Sequence, residues 1–120
     1  MKVIVADDSR VMRQIVVRTL RQAGYGDWDI VEAEDGADGL AKVKAENPDL
    51  VLSDWNMPNM TGIEFLQTLR ASGNGVPFCF VTSEGSDEMR AMAANSGALG
   101  LIAKPFGPET FTEVLSLVAS

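Results

Sequence analysis

A parallel α/β sheet covered by helices on both faces is the architecture this sequence predicts, and three observations predict it. Five short apolar runs alternate with five segments whose apolar residues recur at helical spacing. Most of the runs are β-branched and almost wholly apolar, as strands buried on both faces are. Each run is joined to the next through a helix, so the strands lie parallel.

The elements follow in order. Lys2–Ala6 (KVIVA) reads as a buried strand. Asp7, Asp8 and Ser9 offer N-cap chemistry to a helix carrying Val11, Ile15, Val16 and Leu20, which "AGYG" stops. Asp29–Ala33 (DIVEA) alternates and makes a second strand. Asp35 caps a helix from Gly36 to about Glu46, with Leu40 and Val43 inward, and "NPD" breaks it. Leu50–Ser53 is the third strand. Thr61 and Glu64 then form a capping box, with Met60 and Phe65 spaced as a hydrophobic staple. That helix runs to about Ser72 on Ile63, Leu66 and Leu69. Val76–Thr82 (VPFCFVT) is the fourth strand, and a helix from about Ser86 to Ser96 follows with Met89, Met92 and Ala93 as its apolar stripe. Ala98–Ala103 is the fifth strand. Pro108, at a first helical position, opens a last helix bearing Phe111, Val114, Leu115 and Val118.

At 120 residues the chain reads as one domain, 1–120, able to bury roughly two-thirds of its unfolded surface. Ten basic against seventeen acidic residues give 10 − 17 = −7, a sign that argues against a nucleic-acid partner. One cysteine, Cys79, leaves no intramolecular disulfide and fits a reducing cytoplasm; its place inside an apolar strand makes it core. No segment approaches the roughly 20 apolar residues of a membrane span, and no signal sequence opens the chain. Histidine is absent, which removes imidazole catalysis, histidine metal ligands and any phosphohistidine role.

In a parallel sheet the C-terminal strand ends share one edge, where ligands of open α/β sheets bind. Asp7, Asp8, Asp54, Thr82 and Lys104 all reach that edge. Singly, each has a plainer reading. Asp8 or Ser9 caps a helix, Asp54 makes an Asx-turn, Thr82 turns or caps, and Lys104 is a solvated lysine before a proline. Met57 and Met60 read as loop packing. Together they make an acidic pocket whose carboxylates repel one another unless a cation intervenes. Oxygen-only ligands suit Mg²⁺, and the inventory suits phosphoryl transfer, with Asp54 on the central strand as the nucleophile. A second acid two residues past the nucleophile would point to an aspartate-dependent phosphatase, but that place holds Asn56. A flavin protein would want a hydroxyl- and glycine-rich loop where "DDSR" stands.

The stretches "ADDSR", "EAEDGADGL", "SDWNMPNMTG", "FVTSE" and "AKPF" together resemble the receiver domain of two-component response regulators, and most of all its stand-alone chemotaxis members. The resemblance spans the chain. It implies the flavodoxin-like strand order 2-1-3-4-5, Asp54 as phosphoryl acceptor, and Mg²⁺ held directly by Asp8 and Asp54 and through water by Asp7. Asn56 would lend a backbone carbonyl to the metal. Lys104, before a cis proline, would pair with the phosphoryl group, and Thr82 would be the switching hydroxyl. A histidine kinase would be the donor, and the domain would catalyse its own phosphorylation and dephosphorylation rather than act as an enzyme on other substrates. Asn56 and Glu84 would border the path of the attacking water. The output would be a switched protein–protein interaction in chemotaxis or motility, with the flagellar motor switch as a candidate partner; the rivals are a phosphate sink without its own output and a receiver in other signalling.

The chain departs from that family in places. Three residues before the lysine, where an aromatic usually stands, it has Leu101. Near positions where lysines serve motor recognition it has Asp87, Val114 and Leu117, and Lys104 is the only basic residue after Arg90. The last helix lacks the arginines of salt-bridged dimers, so a monomer is expected.

Overall fold

The structure, a computed structural model, describes residues 1–119. Its elements alternate as the apolar pattern predicts: β1 (Lys2–Ala6), α1 (Arg10–Gln22), β2 (Asp29–Ala33), α2 (Gly36–Glu46), β3 (Leu50–Ser53), α3 (Gly62–Ala71), β4 (Phe78–Thr82), α4 (Asp87–Asn95), β5 (Gly100–Ala103) and α5 (Pro108–Ala119). All strand pairs are parallel, and the sheet order is β2-β1-β3-β4-β5.

Successive strand residues point to opposite faces, so each strand feeds two cores. Val3, Val5, Leu50, Leu52, Cys79 and Ile102 pack with Val16 and Leu20 of α1 and with Phe111 and Leu115 of α5. Ile4, Val51, Phe78, Phe80 and Leu101 pack with Phe65, Leu66 and Leu69 of α3, and with Val43 of α2 and Ala93 of α4. Burial pushes the Cys79 thiol up to about 12, as befits a core thiol.

Local chemistry sets the helix starts. Ser9, Asp35, Thr61 and Ser86 cap α1 to α4, and the Thr61–Glu64 capping box is complete. Met60 and Phe65 share one core cluster, as a staple requires.

Two strands are shorter than the sequence predicts. β4 starts at Phe78 rather than Val76, because Pro77 has no N–H to offer the ladder; its carbonyl still accepts from Val51 at 2.9 Å. β5 starts at Gly100 rather than Ala98, because the amide of Ala98 closes α4 by bonding Ala93 O at 2.9 Å. Two residues of the predicted apolar stripes face water. Val11 is 64% exposed, since it stands about 140° around α1 from the buried Val16. Met92 is 47% exposed, because α4 meets the sheet through Ala93, about 100° away.

Candidate functional site

β1 and β3 lie side by side, yet their chain neighbours depart to opposite flanks: β1 leads out to the edge strand β2, and β3 leads to β4 and β5. The crevice of such a sheet opens at this reversal. Register makes the two strands deliver their acids together. Ala6 pairs with Ser53, and the amide of Asp54 donates to Ala6 O at 2.9 Å. Asp7 and Asp54 therefore emerge as neighbours, with Asp8 one residue on. One carboxylate oxygen from each of the three lies within 4.8 Å of the others.

Their surroundings differ. Asp7 is buried, Asp54 half-buried and Asp8 exposed. Asp7 Oδ1 accepts from the Ser9 amide at 2.9 Å, and Asp54 Oδ1 accepts from the Trp55 amide at 2.7 Å. The free oxygens of both turn toward Lys104, whose Nζ lies 3.5 Å from Asp7 Oδ2 and 3.8 Å from Asp54 Oδ2. Lys104 arrives from the far side of the sheet: Thr82 pairs with Ala103, the Lys104 amide donates to Thr82 O at 2.8 Å, and the Lys104–Pro105 bond is cis. Below the acids, Gly62 gives the chain room, for a Cβ there would overlap the carbonyl of Asp54.

The electrostatics are unbalanced. Three carboxylates face one ammonium, which leaves two negative charges uncompensated. Burial raises the Asp7 carboxyl above its usual range; Asp54 and Asp8 add to that rise, while the Ser9 amide and Lys104 oppose it. A divalent cation fits this set. The donors are all oxygen, the missing charge is two, and the exposed Asp8 keeps one side open to the waters that Mg²⁺ retains.

Of the residues the sequence picks out, the structure gathers Asp7, Asp8, Asp54 and Lys104. Thr82 stands fully buried at the end of β4, and its hydroxyl accepts from the Glu84 amide at 3.3 Å rather than bonding an acid. Asn56 is exposed in the loop after Asp54. Leu101 is buried in the cluster that holds Phe80, and its carbonyl accepts from Arg90 Nη1 at 3.2 Å.

Sequence reasoning missed two supports. Arg13 of α1 donates to Asp7 O at 2.6 Å while its Nε holds Glu32 of β2 at 2.9 Å, so one guanidinium braces the backbone of the acid pair. Trp55 is buried against Phe80 with ring centroids 4.6 Å apart. The three-residue turn Asp7–Ser9 leads into α1 at Arg10 and places Arg13 about one helical turn further on, the only sequence signal for its role. Beside Lys104, Met12, Ile15, Pro105 and Phe106 line an apolar cleft of about 410 Å³.

Residues 3–116 match the response regulator receiver domain. The chemotaxis protein CheY1 of Helicobacter pylori is 36% identical over 121 aligned residues, which cover 98% of this chain and 96% of that protein. The chemotaxis protein CheY-3 of Vibrio cholerae is 38% identical, with 98% and 91% covered. Among solved structures, the chemotaxis protein CheY4 of Vibrio cholerae superposes with a TM-score of 0.84 at 39% identity, covering 98% of this chain and 97% of that one. The receiver domain of the response regulator NarL from Mycobacterium tuberculosis reaches 0.86 at 30% identity, covering 98% and 94%.

Proposed function

The chain belongs to the response regulator receiver domain family, and on that premise we propose that Asp54 accepts a phosphoryl group from the phosphohistidine of a histidine kinase and thereby switches which protein the domain binds. The observation that carries this reading is the position of Lys104, with its ammonium 3.5 and 3.8 Å from the oxygens of Asp7 and Asp54. A lysine so placed meets the charge that phosphoryl transfer develops.

In the transfer, an Asp54 carboxylate oxygen attacks the donor phosphorus. The P–N bond breaks, its electron pair returns to the imidazole nitrogen, and an acyl phosphate forms on Asp54. Lys104 offsets charge on one phosphoryl oxygen. Asp8 and Asp54 would hold Mg²⁺ directly, Asp7 through water, and Asn56 through its backbone carbonyl. When bound there, Mg²⁺ supplies the positive charge that brings an anionic phosphoryl group up to three carboxylates. Hydrolysis reverses the modification: water attacks phosphorus, the P–O bond to Asp54 breaks, and inorganic phosphate leaves. Asn56 and Glu84 flank that approach. The chain thus catalyses its own modification and its removal.

The acyl phosphate draws the Thr82 hydroxyl away from the Glu84 amide, since a dianion recruits nearby donors. The exposed segment Ser83–Asp87 carries most of the change, and Leu101 follows passively. Chemotaxis relatives at 36% and 38% identity support an output in chemotaxis or motility, with the flagellar motor switch as candidate partner. We place the chain, as a one-domain monomer 1–120, in the cytoplasm, where no membrane or nucleic acid need be met; no described helix is long and apolar enough to cross a membrane. One observation favours the phosphate-sink alternative: Leu101 brings neither ring nor hydroxyl to a surface that already exposes Asp87 and Leu117.

Two measurements test the reading. Incubated with Mg²⁺ and a small acyl-phosphate donor, the chain should gain one phosphoryl group by intact mass, and Asp54→Asn should gain none. A pull-down with and without a beryllofluoride mimic then separates the outputs. Mimic-dependent capture of a motor component supports the switch, whereas no mimic-dependent partner supports the sink.

A further inference from the structure

The loop Trp55–Thr61 leaves the sheet at Asp54 and returns to open α3, and its far end is held by a helix that contributes nothing else to the site. Asn59 sits in the left-handed region at φ 67°, where its Nδ2 donates to Asp35 Oδ2 at 2.7 Å. One residue on, Met60 O accepts from the Gly36 amide at 3.2 Å. Only glycine permits that approach, because a Cβ at position 36 would lie 2.5 Å from Met60 O. The other oxygen of Asp35 accepts from the Asp38 amide at 2.7 Å and caps α2. One carboxylate therefore starts a helix and grips a loop at once. The bonds from the Asp38 amide and then from Asn59 hold it below the usual carboxylate range.

The near end of the loop is fixed separately. The Trp55 amide bonds the Asp54 carboxylate, the Gly62 amide bonds Trp55 O at 2.8 Å, and Met57 is buried. Asn56 lies exposed between the two anchorages. The path of its backbone depends on both.

We propose that Asp35 and Asn59 are positioning residues for Mg²⁺ binding: their clasp sets the course of the loop that aims the Asn56 carbonyl and the Asp54 carboxylate at the cation. The inference rests on the reading of Asp7, Asp8 and Asp54 as an Mg²⁺ site. Coupling between sites is reciprocal, so Mg²⁺ must in turn tighten the start of α2.

The full chain can be tested by Mg²⁺ titration, read from the fluorescence of Trp55 beside Asp54 and from the Mg²⁺-dependent rise in melting temperature. Asn59→Gly keeps the left-handed backbone and removes the donor. Asp35→Ser keeps an N-cap and removes the second oxygen. Each should weaken Mg²⁺ by about tenfold, the lower range for supports behind a metal ligand. The double variant should be no weaker than the worse single, because both remove one bond. Mg²⁺ should also slow hydrogen exchange at the Asp38 amide in the unaltered chain. A dissociation constant within about twofold of the unaltered chain in Asn59→Gly overturns the proposal, even if stability drops, and that variant decides alone should Asp35→Ser not fold. Mg²⁺ binding by the unaltered chain but equally by the variants overturns the clasp alone. No Mg²⁺ binding by the unaltered chain overturns the metal site and the clasp with it.

Discussion

The two ends of the sheet treat charge in opposite ways. At the N-terminal ends of the strands, charged groups find partners. Lys2 pairs with Glu46 at 3.1 Å, and the Lys2 amide donates to Asp49 at 2.8 Å. Arg70, at the end of α3, donates to the carbonyls of Asn74, Val76 and Gly97 at 2.8–2.9 Å and ties three chain segments together. At the C-terminal ends, three carboxylates crowd one lysine and the buried one is driven toward protonation. The first edge is arranged for the folded state alone. The second keeps its carboxylates crowded, and that repulsion is what would give a divalent cation its hold.

Substitutions at the two edges should therefore differ in kind and often in sign. The largest effect is expected at Asp54→Asn, which should abolish phosphoryl incorporation while leaving metal-free stability equal or higher. A melt that drops as incorporation vanishes would break the contrast. Next, Arg70→Met should lower stability by about 2–3 kcal/mol, since it strands carbonyls that a charged donor served. Phosphorylation of the folded fraction should continue, as chemical denaturation and intact mass together would report.

A smaller effect of opposite sign is expected at Asp7→Asn, which should raise metal-free stability by about 1 kcal/mol and cancel most of the stabilisation by Mg²⁺. The pH dependence sharpens it. Asp7 titrates above 3.8 in the folded chain, so metal-free stability at this residue grows as pH falls from neutrality through the folded pKa toward 3.8, and is lost as pH rises again. Asp35 has the opposite sign: its folded pKa lies below 3.8, so its stabilisation is present above that value and lost as pH falls through the folded pKa. Asp7→Asn should flatten the first slope and leave the second, in melts from pH 7 downward. The smallest effect belongs to the Lys2–Glu46 pair, partly exposed on both sides. Glu46→Gln should change stability by less than about 0.5 kcal/mol. A loss several times larger would show that the N-terminal edge depends on its ion pairs more than its bonds to backbone.

Much of this contrast was legible before any coordinates. Asp7, Asp54 and Lys104 declare themselves because each directly follows an apolar strand, with Asp8 one residue on, and parallel strands put such residues on one edge. The strand order itself came through family resemblance, since apolar periodicity says which residues are buried but not which strands are neighbours. The same periodicity overreached at Val11 and Met92, which are apolar at helical spacing yet lie outside the arc that meets the sheet.

The sequence by itself determined the elements, their caps and the carboxylate nature of the site, because these depend on residue type and on spacing within a few residues. Tertiary structure alone decided which distant polar atoms serve one another: Arg13 with the carbonyl of Asp7, Arg70 with three carbonyls, and Asp35 with Asn59. The physical reason is reach and direction. A hydrogen bond needs its two atoms about 3 Å apart and aligned, and segments 24 residues apart such as Asp35 and Asn59 acquire that relation only when the core packs their backbones into place.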